Sequence, residues 1–150
     1  MDKIDHKILL ALSKNARISG AAIARKVHLS VPAVTERLRK LDKSGIIDKY
    51  TIQINRNKLG LNLLAYIKVW IDHSKAENII QWIIDFPEVL ECHHIAGDYD
   101  ILLKVLVKDT KELDSFLTEK LKTKNSISNT STTIILNTYK ESSFTKIELI

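Results

Sequence analysis

The chain has 150 residues, 45% apolar and 27% charged, ordinary proportions for a water-soluble protein with room for one or two small cores. It has no apolar run long enough to span a bilayer, and its opening MDKIDHKILL lacks the layout of a secretory leader; a lone Cys92 excludes an intrachain disulfide and a multi-cysteine zinc site, so a reducing cytoplasm is expected. The net charge of +5 is unevenly placed, with 13 Lys and Arg against 5 Asp and Glu in residues 1–60, but 10 against 13 in residues 61–150.

In chain order, residues 2–15 read as a helix. Ile4, Ile8, Leu9 and Leu12 share one face, and Asp2 and Asp5 lie near its positive end. Arg17 to Gly20 breaks the pattern. Ser19 can cap a second helix with Ala22, Ile23 and Val27 on its apolar side, and small Ala21, Ala22 and Ala24 permit close helix crossing. His28 and Leu29 make a tight connection, with His28 where glycine is common, so a wider or locally strained turn is expected. Ser30 is placed to cap a third helix, with Pro32 in its first turn, where a missing N–H costs nothing. Val31, Val34, Leu38 and Leu41 form its apolar stripe, and Gly45 ends it. Two short helices joined this tightly make a helix-turn-helix, spanning about residues 19–44, whose second helix suits a DNA major groove.

Residues 50–54, Tyr-Thr-Ile-Gln-Ile, alternate like a strand. Residues 55–62 read as a linker, giving a first domain of residues 1–54. Beyond it the order is strand, helix, strand, strand, helix, strand, over residues 63–71, 76–86, 89–96, 101–107, 110–121 and 132–138. The first helix is stopped by Pro87, and Gly97-Asp98 supplies a hairpin turn. Helices on one face of an antiparallel sheet make a ferredoxin-like βαββαβ sandwich over residues 63–138. The tail, residues 139–150, turns from polar to apolar and is expected to be disordered or to dock on a partner subunit. The fold class is therefore α+β, a helix-turn-helix domain joined by a strand and linker to a ferredoxin-like domain.

The stretch Leu29-Ser30 through Val34, Arg37, Leu38, Leu41, Gly45 and Ile46, followed at distance by Glu91-Cys92 and Gly97-Asp98-Tyr99-Asp100, resembles the Lrp/AsnC, or feast/famine, transcriptional regulators. The match runs from about Asp2 to Thr138. It implies a winged helix-turn-helix, a homodimer often assembled into an octamer as a tetramer of dimers, and C-terminal domains that dimerise and sense amino acids. A cytoplasmic, nucleoid-associated, DNA-binding regulator is the expectation, with no membrane partner.

On the third helix, Ser30, Ala33, Thr35, Glu36 and Arg37 are expected near base edges, with Pro32 on the same surface. Arg forks to guanine, Glu accepts from cytosine, and Ala or Thr methyls meet thymine. Arg17, Arg39, Lys40 and Lys43 are expected at phosphates. The plainer alternative is surface pairing, such as Glu36 with Lys40. By resemblance, Gly97, Asp98, Tyr99 and Asp100 lie at the amino-acid pocket, where a carboxylate can hold an ammonium group. Thr130, Thr132 and Thr133 can line that cleft from a neighbouring subunit. The alternative there is a hairpin that simply needs Gly and Asp. An amino-acid effector is thus the one small molecule implied, and no cofactor or metal.

Cys92, His93 and His94 alternate across a strand and cannot converge on one ion, so a core Cys with surface histidines is expected. Tyr66 and Trp70 share a face that reads as an interface. An enzyme using Asp98, Asp100 and His94 is the rival from another class, but nothing activates a nucleophile and no phosphate-cradling glycine loop exists. A ligand-independent architectural protein that wraps DNA is the other rival, and its sequence would look the same.

Overall fold

The structure, a computed structural model, describes residues 1–75 and 78–142. The chain divides into two compact units, one holding Met1–Ile54 and the other Asn55–Lys140.

The first unit is built of three helices, α1 (Lys3–Lys14), α2 (Gly20–Val27) and α3 (Val31–Lys43). Each begins with a side-chain cap. Asp2 accepts from the Ile4 and Asp5 amides while Asp5 accepts from the Asp2 amide, a reciprocal capping box. Ser19 and Ser30 cap α2 and α3 by accepting from the Ala22 and Ala33 amides. The ends of α2 and α3 are closed by left-handed residues. Gly45 has φ 71°, with its amide bonded to the Asp42 carbonyl and the Ile46 amide to Leu41, so two orphan carbonyls are satisfied at once. His28 does the same work after α2 at φ 57°, and the Leu29 amide reaches the Ala24 carbonyl. The expected strain is there, carried by an L residue.

Ile8, Ile23, Val34 and Leu41 fill the middle of this unit, with Ala24 letting the helices approach. Val31, expected in that stripe, sits instead at the rim beside Gly20 and is 45% exposed. The strand expected at residues 50–54 does not form. Ile52 and Ile54 are 71% and 58% exposed, and among the described residues no strand pairs with this stretch, so its alternation has no backbone partner to turn it into a ladder.

The second unit is a four-stranded antiparallel sheet of β1 (Leu63–Ile71), β2 (Val89–His94), β3 (Ile101–Val107) and β4 (Ile127–Ile135), in the order β2-β3-β1-β4. The helices α4 (Ile79–Ile84) and α5 (Thr110–Ser115) follow β1 and β3. This is the ferredoxin-like arrangement. Ala65, Ile67 and Val69 of β1 and Leu103, Val105 and Val107 of β3 point into one core with Ile83, Leu113, Phe116 and Leu121. Tyr66, Lys68 and Trp70 therefore point to the opposite, open face.

Several boundaries differ from expectation. Residues 55–62 are no free linker. Asn55 caps a 3₁₀ turn at Arg56–Leu59, Gly60 ends it at φ 76°, and Arg56 donates to Thr138 Oγ1 at 3.1 Å. The helix α4 is described from Ile79, and Ala76 and Glu77 of its expected span lie outside the described residues, as do residues 143–150 of the tail. The strand β2 stops at His94 rather than residue 96. Beyond α5 the coil continues as a π-type turn at Phe116–Lys120 and a 3₁₀ turn at Leu121–Thr123. The widening has a packing reason: Phe116 and Leu121 are both buried but five residues apart, which an α-helix would set about 140° apart. The strand β4 starts five residues earlier than expected, because polar Asn129 to Ser131 gain their ladder bonds from the central strand β1.

Candidate nucleic-acid interface and effector site

The outer face of α3 is set by its buried one. Val34 and Leu41 are inside, which sends Pro32, Thr35, Glu36, Arg39 and Lys43 to the opposite side. All five are exposed, as are Ser30 and Lys40, while Ala33 is half-buried. Thr35 Oγ1 donates to the Val31 carbonyl at 3.0 Å. Glu36 is forked by Arg39 at 2.8 and 2.7 Å, and Lys40 lies 4.0 Å away. The Arg39 hydrogen bonds hold the Glu36 carboxyl below its usual range and push the guanidinium of Arg39 up. Arg39 rather than Lys40 is thus the main partner of Glu36. Arg17 is exposed on the turn between α1 and α2, held by its own amide to Asn15 Oδ1 at 2.9 Å. Among the described residues Lys43 and Arg17 make no ion pair. Arg25 and Lys26 on α2 are also exposed, two cations the sequence reading left out although their place in the last turn marked them as surface groups.

Arg37 is the exception on this helix. Its Nη1 lies 2.8 Å from Asp2 Oδ2 and 2.7 Å from Asp5 Oδ1. Both carboxylates belong to the start of α1. The guanidinium expected at a base edge lies here against the neighbouring helix, and only 29% of the side chain is exposed. The Asp5 amide and then Arg37 hold the Asp2 carboxyl down at about 2, and the two carboxylates, Asp5 first, push Arg37 up.

In the second unit, residues 95–100 join β2 to β3. The Ile95 amide bonds to the Asp100 carbonyl at 2.8 Å and the Asp100 amide to the Val69 carbonyl at 3.0 Å. Asp100 is not a free carboxylate. It accepts from the Ile71 amide at 2.7 Å and faces His73 Nε2 at 3.0 Å, and the Ile71 bond above all holds its carboxyl down. It fastens the end of β1 to the loop, so the carboxylate expected to hold an ammonium group already has two partners. Asp98 is exposed, and only its backbone carbonyl is engaged, by Trp70 Nε1 at 2.5 Å. Tyr99 meets the Trp70 ring edge-on at 6.0 Å, with Lys68 Nζ 5.0 Å from the Tyr99 centroid. Gly97 has no left-handed backbone, and a Cβ there would sit 3.4 Å from Ile95. The turn therefore does not demand glycine for its own conformation.

The threonines part company. Thr133 pairs with Tyr66, on the open face, whereas Thr130 and Thr132 pair with Val69 and Ile67, on the helix side. Thr130, Thr132 and Thr133 therefore do not line one cleft. Ser131 and Asn129, opposite Lys68 and Trp70, take the place expected of Thr130 and Thr132, and strict alternation along a correctly placed strand was the signal for them. Also on this face, Lys104 is buried and reaches Glu91 Oε1 at 3.0 Å, holding the Glu91 carboxyl below its usual range. Cys92 packs against the core with its thiol pushed up by burial, while Glu91 and His93 face the other way, 3.3 Å apart.

Two family models match the chain. One, a winged helix-turn-helix DNA-binding domain, covers residues 1–48, and the other, the Lrp/AsnC ligand binding domain, covers residues 64–144. The HTH-type transcriptional regulator FL11 of Pyrococcus furiosus is 31% identical, with 94% of this chain and 93% of that protein covered. The leucine-responsive regulatory protein of Salmonella typhimurium is also 31% identical, over 95% and 88%. Among solved structures, a transcriptional regulator of Neisseria meningitidis in complex with L-Met superposes with a TM-score of 0.91 at 27% identity, covering 95% of this chain and 94% of that one.

Proposed function

The chain belongs to the Lrp/AsnC family of DNA-binding transcriptional regulators, and from that premise we propose that α3 reads operator DNA while the second unit takes an amino acid or a related small metabolite. It is a regulator and not an enzyme. The observation that carries the DNA half is the ridge of Pro32, Thr35, Glu36, Arg39 and Lys43 on a helix capped at both ends and backed by α2. Such a helix is rigid and enters a major groove with its N-terminal residues foremost. Thr35 presents a methyl to thymine and the Glu36–Arg39 fork presents an acceptor and donors together. Lys43, Lys40 and Arg17 face phosphates, as do Arg25 and Lys26.

The effector half is supported by exposed Asp98, whose carbonyl Trp70 holds, together with Lys68, Tyr99, Asn129 and Ser131 around Trp70. That set offers an anion, a cation, two rings and two neutral polar groups, which matches a zwitterion with a side chain. A homodimer, assembled further into an octamer as a tetramer of dimers, working on the nucleoid in the cytoplasm, completes the reading. No described helix is long and apolar enough to cross a membrane.

The test uses the full chain and a duplex enriched from a random library by the wild-type protein. Thr35→Asp places a carboxylate on the outer face without touching the core. The expected result is loss of specific binding with unchanged folding. Wild-type affinity in that variant refutes α3 as the reading helix.

A further inference from the structure

Arg37 sits on the flank of α3 yet spends its charge inside the unit. Each of the two carboxylates it meets has divided its oxygens. Asp2 Oδ1 accepts from the Ile4 and Asp5 amides at 2.8 and 2.9 Å, and its Oδ2 takes Arg37. Asp5 Oδ2 accepts from the Asp2 amide at 2.8 Å, and its Oδ1 takes Arg37. The Asp2 carbonyl holds His6 as well, through its amide at 3.2 Å and its Nδ1 at 2.8 Å. One guanidinium therefore ties the capping box of α1 to the middle of α3. Both contacts are made by the one nitrogen Nη1, so a single charged end group joins the two helices.

We propose that Arg37 is a positioning residue for DNA recognition, acting through Asp2 and Asp5 to fix α3 against α1, and that it makes no contact with the duplex. The inference rests on α3 being the reading helix. Its rival is an Arg37 that swings out to a phosphate, with Asp2 and Asp5 as a brake on binding. The two accounts predict opposite signs. If the carboxylates are a brake, removing them adds two units of positive charge, frees Arg37 and tightens binding. If they are the anchor, removing them lets α3 drift and weakens specific binding in spite of the added charge.

The experiment measures affinity by fluorescence anisotropy over a salt series, for the enriched duplex and a scrambled copy. The intact protein is compared with Asp2→Asn/Asp5→Asn and Arg37→Ala. Asparagine caps a helix about as well as aspartate, so the double variant keeps its α1 start. Expected is a fall in specific affinity of about fivefold or more for both, the size of losing one good base contact, with the salt slope unchanged. A slope reduced by about 0.9 per protomer in Arg37→Ala, the mark of one lost phosphate contact, overturns the proposal. So does tighter binding by the Asp2→Asn/Asp5→Asn variant, or wild-type affinity in Arg37→Ala. Thr35→Asp is run beside them. If it binds like wild type, α3 is not the reader and both readings fall; if it fails to bind, the other two variants decide the inference alone.

Discussion

Replacing Trp70 by phenylalanine isolates one bond at the proposed effector loop. Phenylalanine keeps a ring to meet Tyr99 edge-on but loses the N–H that reaches the Asp98 carbonyl at 2.5 Å. A neutral hydrogen bond contributes about 0.5–1.5 kcal/mol net. The site is half open to water, which can replace the donor, so about 1 kcal/mol is the expected cost. The unit Asn55–Lys140 falls in the size class where each kcal/mol moves the melting temperature by about 4–8 °C, and a fall of that size is expected for its transition. Trp70→Ala also removes the edge-on pair, about a further 0.5–1.5 kcal/mol, and lowers it more. Differential scanning calorimetry reads the melting temperature, and amide exchange reads the loop, where the Ile95 and Asp100 amides are expected to exchange faster in Trp70→Phe. Trp82→Phe, whose ring packs edge-on against Phe86 beside the core, is expected to leave those two amides alone. Melting within about a degree of wild type, with unaltered exchange in the loop, refutes the assignment of Trp70 as its tether.

Gly97→Ala separates ligand binding from folding: its backbone is not left-handed and its new Cβ lies at 3.4 Å from Ile95, so stability is expected to stay within about 0.5 kcal/mol while effector affinity, read by calorimetric titration, falls. Stability at low pH tests the Glu91–Lys104 pair. Lys104 holds the folded Glu91 carboxyl below its unfolded value, so its contribution is present above the unfolded pKa and is lost as pH falls through the lower folded one. Glu91→Gln is expected to flatten that part of the acid melting curve, and an unchanged curve counts against the pair.

Much of this was legible in the sequence for local reasons. Ser19, Ser30, Pro32 and Gly45 mark helix ends by chemistry that acts within four residues, and α2 and α3 lie where those marks put them. The strands β1 and β3 were legible because each is nearly continuous in apolar residues and both are central. What failed depends on distant partners. The alternation of residues 50–54 meets no strand among the described residues. The start of β4 is hidden in a polar run that only its pairing with β1 makes extended, and the faces of Thr130, Thr132 and Thr133 follow from that register. Helix position pointed Arg37 at a ligand and the family resemblance pointed Asp100 at one, and each is also held by groups about thirty residues away in the chain. Helical and strand periodicity say which side a residue occupies, and nothing about who meets it there.

The most direct test of a reading helix governed by a small-molecule domain is a genomic footprint of the purified full chain with and without a mixture of amino acids. Discrete protected sites are expected, with half-site centres about 10 bp or a multiple apart, and with occupancy or extent changed by the mixture and by one amino acid within it. Protection spread evenly over any sequence contradicts the first half of the account, and a discrete pattern that no amino acid alters contradicts the second.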